Sequence, residues 1–279
     1  MNTHYKFDPK SNNCVVIMYP TGGYGNFLYY ILTEFLKDTV KTNNNNFKFS
    51  NSGDSHSCKK YVEPFLLGSC YANQKLKEFQ YCYAINDQFT YNQISSGKKF
   101  LVLADVGNLG DNVNFLRKYF PNATIFRIYA ESFEEKLIVW ANCMTKSDIT
   151  SRTKIYKDSL LPSSSIANFN KKSIKDIEDE DAVLAIKDFM LNDFYRYGKN
   201  FSKIIKKDKV VNIPFNIFLE QSIFLKQIKY LAKYLQTEII DLDKLKTTYN
   251  TFKNKQKNHN IRQSNNSTII GKALCNLKL

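Results

Sequence analysis

The chain has 279 residues with 40 Lys+Arg against 26 Asp+Glu, a net charge of +14, and 43% of it is hydrophobic. That length and apolar content are enough for one large or two small cores without disulfide or metal staples, and they exclude disorder of the whole. The opening MNTHYKFDPK has no apolar h-region and no run of about 18 apolar residues occurs, so a soluble, cytoplasmic protein without a membrane span is expected.

In chain order, Cys14 to Tyr19 (CVVIMY) is a short β-branched apolar run that reads as a buried strand. Pro20 to Gly25 breaks it, and from Asn26 the residues Phe27, Leu28, Ile31, Leu32 and Phe35 follow helical spacing. The opening unit is therefore strand, glycine turn, helix. Residues 42–60 are rich in Asn and Ser and read as a long mobile loop, while 61–97 show aromatics and turn residues without a period. Lys99 to Asp105 is a second strand, Asn112 to Phe120 a short helix stopped by Pro121, and Ala123 to Tyr129 a third strand. In the segment that follows, Ser132 and Glu135 form a capping box, with Phe133, Leu137, Trp140, Ala141 and Met144 on one helical face. A helix is expected along Ala182, Ile186, Phe189, Met190, Phe194 and Tyr197, closed by Gly198. Val210 to Pro214 reads as a fourth strand, Phe224 to Leu235 as its helix, and Asp241 to Lys257 as a last helix, with 258–279 as a tail.

Strands separated by helices pair in parallel through crossovers, so residues 1–279 are expected to form a single α/β layered domain with a mostly parallel sheet flanked by helices. The six cysteines contain no Cys-x-x-Cys pair and no His at zinc spacing, which fits free thiols in a reducing compartment. Residues 201–279 hold 15 Lys+Arg against 5 Asp+Glu, so most of the positive excess lies in the last third. Such a region suits phosphate or sulfate groups, nucleic acid or an acidic surface, and equally a solvated lysine face from a codon-biased genome.

In a parallel α/β sheet ligands bind beyond the carboxyl ends of strands. The turn Pro20, Thr21, Gly22, Gly23, Tyr24, Gly25, Asn26, Phe27 lies at that place, and its glycines and the helix start after it are suited to an anion. The alternative is that the glycines serve only a tight turn and close helix packing. The turn has neither the G-x-x-x-x-G-K-[ST] nor the G-x-G-x-x-G pattern.

The stretch VVIMYPTGGYGNFLYYIL resembles the phosphosulfate-binding loop of the sulfotransferase family. FPNATIFRIY and its helix are similar to that family's 3′-phosphate segment, and VVNIPFNIF with KQIKYLAKYLQ resembles its later strand and helix. The resemblance implies a P-loop-like α/β fold and an enzyme that moves a sulfuryl group from 3′-phosphoadenylyl sulfate to a hydroxyl of a carbohydrate or small molecule, with no metal. It also implies donor contacts from Thr21 to Phe27 and from Arg127. Two departures matter: Thr21 stands where the family has a basic residue, and the loop is one residue longer.

Sulfuryl transfer needs N–H or cationic groups for the leaving phosphate and a base for the acceptor. His56, in a loop after the first helix, and Asp105, at the end of the second strand, are the candidates for the base. Asp105 is also where a nucleotide hydrolase holds Mg²⁺, and an Asp there also caps turns. Lys253, Lys255, Lys257 and Arg262 are candidates to close over a nucleotide. Two other readings stay open. GGYGNFLYYIL also resembles the opening of some fucosyltransferases, which bind a nucleotide sugar, although their His-x-Arg-Arg motif is missing here. The other is a catalytically degenerate protein that binds anions or nucleic acid through its basic third.

Overall fold

The computed structural model describes residues 5–6, 10–20, 23–41, 66–67, 84–85, 88–105, 113–132, 135–136, 138–139 and 204–265. Its strands are β1 (Tyr5–Lys6), β2 (Cys14–Tyr19), β3 (Leu66–Leu67), β4 (Ala84–Ile85), β5 (Phe100–Asp105), β6 (Thr124–Tyr129) and β7 (Val210–Pro214). Its helices are α1 (Gly25–Phe35), α2 (Gln88–Ser95), α3 (Val113–Tyr119), α4 (Gln221–Tyr234) and α5 (Leu242–Asn265), with a 3₁₀ turn at Phe215–Phe218.

Five strands pair in the order β3-β5-β2-β6-β7, and every pairing in that sheet is parallel. The first long strand is thus central, and later strands are added on both sides of it. A central strand needs apolar residues on both faces, which is why CVVIMY is continuously buried rather than alternating. Val15, Ile17 and Tyr19 face a core shared with α1, α4 and α5, while Cys14, Val16 and Met18 face one shared with α3. Helices on both sides of a parallel sheet are the α/β layered arrangement expected above. Burial pushes the Cys14 thiol well up, so it is an inert core residue.

Some expectations are adjusted. The second strand starts at Phe100 and the third at Thr124. The strand β3, which adds the sheet's edge beside β5, and the small antiparallel β1–β4 pair were not read from the sequence. The last helix runs past Lys257 to Asn265, so 258–265 belong to α5 rather than to a tail. The helix expected at 182–198 and the loop at 42–60 lie outside the described residues. Among the described residues no helix is long and apolar enough to cross a membrane.

Candidate functional site

The connections leaving β2 and β5 go to helices on opposite faces, α1 and α3. Their carboxyl ends lie side by side, with Tyr19 in register with Asp105. This is the switch point at which open α/β sheets bind ligands.

The chain leaves β2 through Pro20, whose carbonyl accepts the Gly23 N–H at 2.7 Å. A Cβ on Gly23 would stand 2.8 Å from that same oxygen, so the turn admits only glycine there. Tyr24 then takes a left-handed conformation, φ 57° and ψ 21°, immediately before α1. For a bulky residue this costs roughly 1–2 kcal/mol. Its ring stacks on Phe215 at 5.3 Å and meets the edges of Phe218 and Phe252 at 5.5 and 5.1 Å. Three such contacts, each about 0.5–1.5 kcal/mol, outweigh the backbone cost. The Tyr24 hydroxyl also donates to Gln256 Oε1 at 3.2 Å.

Gly25 serves a different purpose. A Cβ on it would lie 2.2 Å from the Tyr19 ring, so the missing side chain lets that ring sit beneath the first turn of α1. From there the Tyr19 hydroxyl donates to Asn26 Oδ1 at 3.3 Å. The packing role of this glycine, one of the alternatives open in the sequence, is therefore present.

Among the described residues no side chain caps the start of α1, and no acid lies in its first turn. The first intrahelical bond runs from the Leu28 N–H to the Tyr24 carbonyl, and the amides of Gly25 and Asn26 have no acceptor among the described residues. Both residues are buried, and amides left without an acceptor at the positive end of a helix are suited to an anion.

The aromatic cluster brings α5 to the same place. Phe252 lies face to face with Phe27 at 3.8 Å and 7° while it touches Tyr24, and Gln256 is one turn further on. Lys253, adjacent to Phe252, is partly buried, and burial lowers its pKa. Lys255 follows on the same helix, and the side chains of Lys257 and Arg262 lie outside the described residues. The side chains of Tyr24 and Phe27 are taken up by the core, so what they offer a ligand is backbone.

Arg127 is paired in register with Met18 on one side and Asn212 on the other. Its guanidinium is wholly buried and donates to Asn212 Oδ1 at 3.3 Å. Asn212 in turn accepts the Ile205 N–H at 3.0 Å and donates to the Ile205 carbonyl at 2.8 Å. The Tyr129 ring centre is 5.8 Å from the guanidinium carbon. Arg127 thus ties β6 to β7 and to the segment before it. The expected capping box forms in part: Ser132 Oγ accepts the Glu135 N–H at 3.1 Å, while Glu135 Oε2 accepts the N–H of Glu131, one residue before the cap, at 2.7 Å.

Thr21, Gly22 and His56 lie outside the described residues, and of Asp105 the backbone alone is described. Among the described residues no group of three or more His, Cys, Asp or Glu is placed to hold a metal ion. Sequence reasoning missed Tyr19, Phe215, Phe218, Phe252 and Gln256. The aromatic content of VVNIPFNIF and of the last helix was a visible signal, but their meeting at Tyr24 was not.

No family model matches the chain, and no curated protein matches it. The crystal structure of a sulfotransferase from Alicyclobacillus acidocaldarius is similar at a TM-score of 0.32 and 13% identity, covering 88% of this chain and 94% of that one.

Proposed function

We propose that this protein is a sulfotransferase-like enzyme that takes 3′-phosphoadenylyl sulfate as donor and a hydroxyl of a carbohydrate or small molecule as acceptor. The observation that carries the reading is the uncapped start of α1, set in a glycine turn at the carboxyl end of the central strand and roofed by the basic half of α5. The sequence resemblance of that turn, of β6 and of β7 with α4 supports the same choice. The groups fit an anion: amides, lysines and no acid in the first turn.

The donor supplies the sulfuryl group, and the chain's residues bind and take up charge. In this reading the amides of Gly25 and Asn26 hold the phosphosulfate, with Thr21 and Gly22 as neighbours in the loop. Lys253 and Lys255 on α5 provide the positive charge that Thr21 does not. The partly buried Lys253 lies in a setting of lower dielectric, where each charged contact counts for more than in water. Asp105, beside Tyr19 at the strand ends, or His56 takes the proton of the acceptor hydroxyl. The Arg127 guanidinium is wholly buried and bonded to Asn212, so in this reading a contact with the 3′-phosphate has to displace that bond.

Thr21 at the usual basic position favours a second reading, in which the site binds the nucleotide without turning it over. Thermal unfolding with 3′,5′-adenosine bisphosphate, ATP and a nucleotide sugar tests both, each with and without EDTA. The bisphosphate is expected to raise the midpoint with concentration and to do so in EDTA. No shift overturns both readings, and a shift that needs Mg²⁺ points to phosphoryl transfer instead. A shift without sulfuryl transfer to any acceptor leaves the binding reading.

A further inference from the structure

The exposed face of α4 carries Lys226, Lys229, Tyr230, Lys233 and Tyr234, and the helix contains no acidic residue. Its opposite face, Phe224, Ile228, Leu231 and Ala232, is buried in the core, so the orientation of the helix is fixed by packing. The two tyrosines are 50% and 40% exposed, large values for aromatic rings, and lie 6.3 Å apart at 44°. Tyr234 is propped from beneath by the edge contact with Phe126, at 6.2 Å. None of the three lysines forms an ion pair among the described residues.

Further positive charge lies beyond the end of the helix, at the amino end of the sheet. Tyr234 meets Phe126, which pairs in register with Val211, so the last turn of α4 lies beside the start of β7. The segment entering β7 is Lys206-Lys207-Asp208-Lys209, held to the sheet through the Lys209 carbonyl, which accepts the Ile125 N–H at 2.8 Å. The Lys207 ammonium donates to Asn114 Oδ1 at 2.6 Å, and Arg117 donates to the Asp208 carbonyl at 2.9 Å. Their positive charges remain at the surface, with Asp208 as the one acid in that segment. Because β7 is parallel to β2, its entry lies at the opposite end of the sheet from the glycine turn.

We infer that this tyrosine-lysine face is a docking surface for single-stranded nucleic acid, separate from the donor site. Lysines one turn apart follow a phosphate backbone, and half-exposed rings between them offer planes on which unpaired bases stack. Charge alone suits any polyanion. The aromatic pair among the lysines is what selects a strand with exposed bases, since a paired duplex keeps its base faces covered.

The test uses the full chain and a labelled mixed-sequence single strand of about 20 nucleotides, with binding followed by fluorescence anisotropy as salt is varied. Replacing Lys226, Lys229 and Lys233 together with Gln should lower the slope of log affinity against log salt by about 2, at about 0.7 per lost contact. Tyr230→Ala should weaken single-strand binding about fivefold or more and leave a duplex of the same sequence unaffected. All these side chains are exposed, so unchanged unfolding midpoints are expected, and affinity for 3′,5′-adenosine bisphosphate should not move. No binding of single strands by the parent protein overturns the inference, as does parental affinity in the triple variant. Equal loss for heparin, duplex and single strand with no effect of Tyr230→Ala also overturns it, because the face then reads charge without bases.

Discussion

At its carboxyl end α1 meets more donors than its last carbonyls need, whereas at its amino end the amides of Gly25 and Asn26 have no partner among the described residues. The Thr39 hydroxyl lies 2.7 Å from the Leu36 carbonyl and 3.0 Å from that of Thr33, and it donates to one at a time. The Lys41 ammonium donates to the same two carbonyls, at 2.6 Å for Leu36, and lies 3.2 Å from Thr39 Oγ1. A cation there also complements the negative end of the helix. Among the described residues nothing equivalent complements the positive end. A helix buried on nearly every side, with one end closed by side chains and the other resting on a glycine turn, separates the part that holds the structure from the part that can take a ligand.

The largest expected effect tests whether the amino end depends on α5. Phe252 is almost wholly buried against Phe27, and Phe252→Ala should cost about 3–5 kcal/mol in urea unfolding. If α5 also supplies the cations of the site, affinity for 3′,5′-adenosine bisphosphate should fall in the protein that remains folded. A loss below about 1 kcal/mol would mean that α5 does not roof the turn.

The second effect concerns the glycine itself. Gly25→Ala places a methyl against the Tyr19 ring and should cost about 1–3 kcal/mol by overpacking. Combining it with Tyr19→Ala should recover part of that cost, a coupling that a double-mutant cycle reads directly. Additive losses would show that the glycine is needed by the turn alone. A test of anion binding must therefore avoid this position, and Lys253→Gln is the better probe. It should weaken bisphosphate affinity about tenfold or more, the range of one charge-assisted contact, with little change in stability. Unchanged affinity would separate α5 from the site.

How much of this was legible follows from how local each feature is. β2 and β5 stood out as apolar runs between turn residues, β6 and β7 as β-branched and aromatic runs interrupted only by Arg127 and Asn212, and the start of α1 because glycine is followed at once by helical spacing. β3 was not, since two residues have no period. The far end of α5 was not either: NHNIRQSN offers one apolar residue and no stripe. Tyr24 resisted for another reason. A left-handed bulky residue contradicts local preference, and what stabilises it comes from Gln256 and from rings at 215, 218 and 252, far along the chain.

The last effect lies at the closed end and is read through pH. Burial lowers the Lys41 pKa to about 8, with Lys98 acting in the same direction and Glu34 and Asp38 opposing it. The unfolded chain keeps the ordinary value of 10.5. Between these values the unfolded state binds more protons than the folded one, so the contribution of Lys41 to stability rises with pH across that window and levels off above it. Burial raises Tyr29 and Tyr249, which act with the opposite sign once the unfolded phenols begin to ionise near 10. The total profile therefore mixes the two, and the difference between parent and Lys41→Met isolates the lysine. Below pH 8 the variant loses the ammonium's bonds to the α1 carbonyls, at about 1 kcal/mol, and gains relief from burying a charge, so its net change should be small. From pH 8 to 10.5 the parent should gain on the variant steadily. A difference that stays flat across the window would mean that Lys41 keeps its proton in the folded chain. The ammonium would then be as well accommodated at the closed end of α1 as in water, and the contrast between the two ends would be sharper than burial alone implies.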